Sequence, residues 1–198
     1  MNAYDFDRTI YRRDSTAQFY LWCLKRWPQI ARRWPAVLWA ALKLGLHVTD
    51  KTGFKAVFLR FLRDVPQPEA EIERFWDANM SLIQQWYLTR RRADDVVITA
   101  SPANIVRPAC RRLGVSRVLG SPVDMATGRY AGANCHGEEK TRVFRAAFPN
   151  EQIEEFYSDS LGDAPMAAMA RRAFLVRGER LTPWPGKANG QEGTFPKR

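Results

Sequence analysis

Histidine and cysteine are scarce in this 198-residue chain, with two of the first and three of the second. Cys23, Cys110 and Cys135 stand far apart without a Cys-x-x-Cys pair, which argues against a disulfide framework and a zinc site and fits reduced thiols. Any chemistry that needs an imidazole base must rest on His47 or His136. Long apolar runs are missing too. The best candidate, residues 36–46, already contains Lys43 and falls short of the roughly eighteen residues that a membrane-spanning helix needs. Acidic residues are absent between Ser15 and Thr49.

Positive charge is in excess. Thirty-one Lys and Arg against 21 Asp and Glu leave a net charge of +10 and a pI near 9.9, which favours a polyanionic partner: nucleic acid, an anionic membrane surface or a phosphorylated substrate. Solubility alone also accounts for such a charge. The length allows one core, or a compact core with a modest insertion.

Residues 94–178 alternate between strand-like and helix-like patterns. The β-branched run Val96 to Ala100 predicts a strand, and Ser101-Pro102 after it predicts a helix start, serine as N-cap and proline at the first helical position. That helix should run to about Arg112 and close at Gly114. A strand at Arg117 to Leu119, a hairpin turning at Thr127-Gly128, a helix from Glu138 to Phe148 and a strand from Ile153 to Tyr157 follow. Pro165 to Arg172 reads as a helix and Ala173 to Val176 as a last strand. Such alternation implies an α/β fold with a parallel sheet, helices on both faces and ligands at the carboxyl ends of the strands. Residues 15–93 are helical in period and rich in tryptophan, with breaks at Pro28, Pro35, Gly45 to Asp50 and Pro66 to Pro68 suggesting about four helices. From Leu181 onward proline and glycine replace any core pattern, so a disordered tail is expected over 181–198.

Near the start, Asp5, Asp7 and Thr9 form an Asp-x-Asp-x-Thr pattern after a short apolar run. Downstream come Ser101, then Lys140 in Gly137-Glu138-Glu139-Lys140, then Asp159 and Asp163 in the segment from Tyr157 to Asp163. Taken singly, each has a plain reading as a turn carboxylate, an N-cap, a solvated lysine or a helix cap. In this order they resemble the four motifs of the haloacid-dehalogenase (HAD) superfamily, in its phosphoserine-phosphatase-like branch. The resemblance implies a Rossmann-like parallel sheet flanked by helices, built from residues 1–14 and 94–180, with an all-helical cap inserted over residues 15–93.

The chemistry it implies is a magnesium-dependent phosphatase working through an aspartyl-phosphate. Asp5 would be the nucleophile, and Asp7 would protonate the leaving alcohol and then deprotonate water. Ser101 and Lys140 would bind the phosphate. Asp5, Asp7 (through its backbone carbonyl), Asp159 and Asp163 would serve the Mg2+. Oxygen ligands are what Mg2+ prefers, and a carboxylate is a weak nucleophile unless a cation relieves its repulsion from phosphate.

Three departures stand out. Arg8 occupies a position where many members have glycine, and Pro102-Ala103 replaces a glycine pair. The stretch from Tyr11 to Gln18 offers no glutamate for a substrate amino group, which disfavours phosphoserine. The core motifs are also similar to those of bacterial phosphatidylglycerophosphate phosphatases, in Ile98 to Pro102, Gly137 to Lys140 and Tyr157 to Ser160. That likeness points toward a membrane-associated or lipid phosphate. Trp22, Trp27, Trp34 and Trp39 lie among Lys25, Arg26, Arg32, Arg33 and Lys43, reading either as a face for anionic lipid or as a small helical core with its cations in water. The alternatives are a soluble small-metabolite phosphatase and, in another class, a non-catalytic basic protein that binds nucleic acid or membrane, with nucleic acid the less favoured partner. Cleavage of a signal peptide would remove Asp5 and Asp7. The expected location is therefore the cytoplasm, or the periphery of the inner membrane face.

Overall fold

The structure is a computed structural model and describes residues 1–186. The chain folds in the order β1 (Asn2–Tyr4), α1 (Ser15–Arg26), α2 (Trp34–Gly45), α3 (Lys51–Phe58), α4 (Pro68–Asn79), α5 (Gln85–Leu88), β2 (Val96–Pro102) and α6 (Ala103–Arg112). It continues with β3 (Arg117–Ser121), β4 (Val123–Asp124), β5 (Arg129–Tyr130), α7 (Glu138–Ala147), β6 (Glu155–Ser158), α8 (Ala164–Met169), β7 (Arg172–Arg177) and β8 (Arg180–Pro183). Six strands make one sheet in the order β3-β2-β1-β6-β7-β8. All pair in parallel except β8, which runs antiparallel to β7. The α/β class with helices against a parallel sheet is thus realised, and β4 and β5 form the hairpin expected around Thr127-Gly128.

Strand alternation distributes the core. Ala3, Val96, Ile98, Phe156 and Ala173 face one layer, where α7 and α8 supply Phe144, Met166 and Ala167. Their neighbours Tyr4, Val97, Tyr157 and Phe174 face the other. The second layer is continuous with the helices of residues 15–88: Phe19, Phe61, Phe75 and Trp76 belong to the same apolar cluster as Tyr4 and Val97. These helices therefore share a core with the sheet. Trp76 anchors α4 to α6, its indole Nε1 donating to the Ile105 carbonyl at 2.6 Å, and Arg112 adds ion pairs to Glu73 and Asp77.

Several sequence expectations need correction. Ser101 does not cap α6. Strand β2 continues through Pro102, which pairs with Ser121 after a register shift, and Pro102 itself occupies the cap position. Pro35 opens a helix rather than breaking one, since it sits in the first turn of α2 where its missing N–H costs nothing. The disordered tail does not begin at Leu181. Residues Leu181 to Pro183 lie in β8, and Trp184 is buried under the sheet against Phe156; the remainder of that expectation, residues 187–198, falls outside the described residues. Of the four early tryptophans, Trp22 and Trp27 are half-buried against the core, whereas Trp34 and Trp39 are 49% and 59% exposed.

Candidate active site

The carboxyl ends of β2, β1 and β6 lie side by side, because Tyr4 pairs with Val97 on one flank and with Tyr157 on the other. Asp5 follows β1, Ser101 lies near the end of β2, and Asp159 follows β6. The Asp5 N–H still donates to the Tyr157 carbonyl at 2.8 Å, so the carboxylate is mounted on the end of the ladder. Above this edge opens a cleft of about 900 Å3, whose lining includes Asp5, Asp7, Lys140, Asp159 and Asp163.

Lys140, in the first turn of α7, is buried and reaches back between two carboxylates. Its Nζ donates to Asp5 Oδ1 at 2.7 Å and to Asp163 Oδ2 at 2.8 Å. The Ser158 hydroxyl holds the same Asp163 oxygen at 2.7 Å. Burial opposes the Lys140 charge, but Asp5 and Asp163 more than reverse it and keep the ammonium above its usual range. Burial pushes the Asp5 carboxyl up to about 7 in spite of Lys140, with Asp163 and Asp7 adding to the rise. The second Asp5 oxygen carries no hydrogen bond from the described residues.

Asp7 is held by two donors. The Ser15 N–H, at the start of α1, donates to Oδ1 at 2.7 Å, and the Ser101 hydroxyl donates to Oδ2. Thr16 then donates to Ser101 Oγ at 3.0 Å. Burial and the neighbouring Asp14 raise the Asp7 carboxyl to about 6, against the pull of the Ser101 and Ser15 bonds. In this arrangement Ser101 spends its proton on Asp7 rather than pointing free toward a phosphoryl oxygen.

The turn between β1 and α1 is pinned from several sides. Thr9 Oγ1 accepts the Asp159 N–H at 3.0 Å, and Arg177 donates to the Asp159 carbonyl. Arg8 adopts φ of 57°, the left-handed region that glycine enters freely and other residues enter at a cost. Its guanidinium lies 3.9 Å from Asp159. Asp159 is raised by burial first, with Arg8 opposing.

Among the described residues no three His, Cys, Asp or Glu side chains cluster as a ready-made metal cage. Magnesium does not require one, since it takes one or two carboxylates and completes its shell with water and phosphate oxygens. Asp5, with one unbonded oxygen, and Asp159 line the same cleft, so the donor set fits a hard dication. Asp163 lines the cleft as well but is buried more deeply, at 2% exposed, and Lys140 and Ser158 both engage its Oδ2, leaving Oδ1 without a hydrogen bond from the described residues.

A mostly parallel sheet with a carboxylate-lysine-carboxylate cluster at its strand ends defines a class of hydrolase. A family model for haloacid dehalogenase-like hydrolases matches residues 3–168, and the chain belongs to that family. It is 30% identical over 187 residues to protein CicA of Caulobacter vibrioides, covering 85% of this chain and 82% of that protein. Over 112 residues it is 28% identical to phosphoserine phosphatase SerB1 of Mycobacterium tuberculosis, covering 52% of this chain and 36% of that one. A crystal structure of a Bordetella pertussis protein of unknown function shares the fold, with a TM-score of 0.69, 20% identity and 87% of each chain covered.

Sequence reasoning singled out Asp5, Asp7, Ser101, Lys140, Asp159 and Asp163, and the fold gathers all six at one sheet edge. It missed Ser15, Thr16 and Ser158, which orient Asp7, Ser101 and Asp163. Ser158 stands beside Asp159 and could have been noted. His136, one of the two imidazoles and next to the Gly137 to Lys140 motif, also lines the cleft, as does Lys55 from a segment with no local signal.

Proposed function

We propose that this chain is a phosphomonoesterase in which Asp5 attacks phosphorus to form an aspartyl-phosphate that water then hydrolyses. The observation that carries the reading is the buried ion cluster: Lys140 bridging Asp5 and Asp163 at 2.7 and 2.8 Å, with Asp7 fixed independently two residues on. Lys140 aims Asp5 and neutralises incoming phosphate charge, and Asp163 with Ser158 aims Lys140. Fixed charges of this kind act without reorganising in the transition state. Asp7, near 6, delivers a proton to the leaving oxygen and recovers one from the attacking water, a role that suits a carboxyl poised close to neutral pH. Ser101 orients Asp7 and turns to a phosphoryl oxygen when substrate is bound.

Asp5, Asp159, Asp163 and the Asp7 backbone carbonyl would hold Mg2+. When bound, the cation supplies Lewis-acid charge neutralisation between carboxylate and phosphate. In this reading residues 15–93 form a lid over the cleft that excludes water during transfer.

For the substrate we favour an amphiphilic phosphate presented at a membrane. No helix of the described residues is long and apolar enough to cross a membrane. Yet α2 buries only Ala40 and turns Trp34, Leu38, Trp39 and Leu42 outward, with Leu46 and Val48 exposed beyond it. Lys43 lies over the Trp39 ring at 5.6 Å. An exposed apolar face with tryptophan and a flanking cation, in a segment free of acids, matches an anionic lipid surface. Phosphoserine, the substrate in the name of one relative, is disfavoured by the missing glutamate.

Hydrolysis of p-nitrophenyl phosphate with and without Mg2+ tests the chemistry, and Asp5→Asn should abolish it; unchanged turnover in that variant would overturn the mechanism. Co-sedimentation with anionic vesicles should be lost in Trp39→Glu. Equal binding of the variant would remove α2 from the membrane reading.

A further inference from the structure

Beside the polar cleft lies a second cavity, of about 270 Å3, with different chemistry. Its walls are apolar: Ala17 of α1, Phe54 and Phe58 of α3, Leu59, Pro102 after Ser101, and Tyr130 of the small hairpin. The two cavities share Asp14, Lys55 and Ala100 in their linings, so they adjoin. The far wall is firm. Phe54 and Phe58 stack at 6.2 Å and 11°, and Phe58 is backed by Tyr20 and Phe61 at 5.0 and 5.6 Å.

The polar groups around it are nearly all committed to other partners. Asp14 caps α1 by accepting the Ala17 N–H at 2.9 Å, Lys55 donates to the Ala100 carbonyl at 3.4 Å, and Thr16 and Ser101 form the relay to Asp7. Tyr130 adds ring surface to the wall, while its hydroxyl is enclosed away from the cavity.

We infer that this cavity receives the leaving group: the alcohol part of the substrate is an apolar chain or flat body. The inference rests on the phosphomonoesterase reading for the phosphate end. The ester oxygen then lies at the junction of the two cavities, beside Asp7, which Ser101 ties to the apolar wall. Cleavage there breaks the phosphorus–oxygen bond, transfers the phosphoryl group to Asp5 and passes the Asp7 proton to the departing alkoxide. Water later releases inorganic phosphate and returns the proton. At roughly 30 Å3 per water-sized volume, the cavity holds about six to nine heavy atoms.

A series of n-alkyl phosphates from ethyl to decyl, kept below micellar concentration, tests this with the full chain. The expected kcat/KM rises by up to about fourfold per methylene and levels off near eight carbons. Phe54→Gln should flatten that slope. Matching alkylphosphonates, measured by titration calorimetry, separate binding from chemistry. Hydrolysis of every ester with no chain-length dependence overturns the leaving-group subsite and leaves the phosphatase standing. No hydrolysis, with phosphonate affinity rising along the series, upholds the apolar subsite and removes the phosphatase reading. Flat phosphonate affinity without hydrolysis removes both.

Discussion

Lys140→Met probes the buried charge cluster most directly. The ammonium is 2.7 Å from Asp5 and 2.8 Å from Asp163, with side-chain exposures of 2%, 11% and 3%. Removing one partner of such a cluster leaves buried carboxylates uncompensated, which typically costs about 3–5 kcal/mol, a large share of the roughly 5–15 kcal/mol that holds a domain folded. The loss should depend on pH, and its sign follows from the titrations. Asp5 already sits near 7 in the fold against 3.8 ordinarily, and without Lys140 it must climb further. A carboxyl whose folded pKa exceeds its unfolded value holds its proton more tightly when folded, so stability falls as pH rises from about 4 through the folded pKa, by up to about 1.4 kcal/mol per pH unit. Lys140 is held above its ordinary 10.5, so in the parent its contribution is fully present across pH 5–8 and cannot mask this trend. The parent descends the same slope up to its own Asp5 titration near 7, so urea unfolding in EDTA, followed by tryptophan fluorescence, should show a destabilisation that is steady below pH 7 and grows by up to about 1.4 kcal/mol per pH unit above it. Adding Asp5→Asn to the same chain should recover part of the loss and flatten the slope. A penalty below about 1 kcal/mol at pH 8, or one independent of pH, would refute the reasoning.

Three further outcomes follow from the same geometry. Asp7→Asn should lower kcat/KM by about 10^2–10^4-fold on alkyl phosphates, and by much less on p-nitrophenyl phosphate, whose leaving group needs no proton; equal losses of kcat/KM on both would deny Asp7 the acid role. On the proposed metal site, Mg2+ competes with a proton on Asp5, raised to about 7, so the rise in melting temperature on adding Mg2+ should be larger at pH 8 than at pH 5.5, read by differential scanning fluorimetry. Gly128→Ala should destabilise the fold by more than about 1 kcal/mol: Gly128 has φ of 66°, and an added Cβ would stand 2.2 Å from the Leu59 carbonyl oxygen and 2.7 Å from the Arg60 Cα. A thermal melt within a degree of the parent would count against that contact.

How far the chain could be read in advance depended on whether the signal was local. Val96 to Ala100 announced a strand because its β-branched residues alternate between two buried layers, and the site carboxylates followed because each sits where such a run ends. Ser101-Pro102 misled for the same reason. A serine before a proline is a helix start by local chemistry, but pairing with β3 extended the strand and Asp7 claimed the hydroxyl. β8 was illegible because Leu181 to Pro183 become a strand only through the partner offered by β7. The outward face of α2 could not be told from a core helix, since both read as apolar at helical spacing. Thr16 and Lys55 reach Ser101 and Ala100 from helices remote in sequence from that strand, and no spacing rule connects them.

The contact of Gly128 with Leu59 and Arg60 has an engineering meaning. It is a meeting of two backbones, so no change of rotamer can loosen it, and the same hairpin carries Tyr130 into the apolar cavity. A chimera that imports residues 15–93 from a relative while keeping the native 123–130 would therefore graft a foreign surface onto an unchanged abutment. On the leaving-group reading, moving that preference between family members means exchanging both segments together and matching the core they share with the sheet, where Phe19, Phe61, Phe75 and Trp76 pack in one cluster with Tyr4 and Val97.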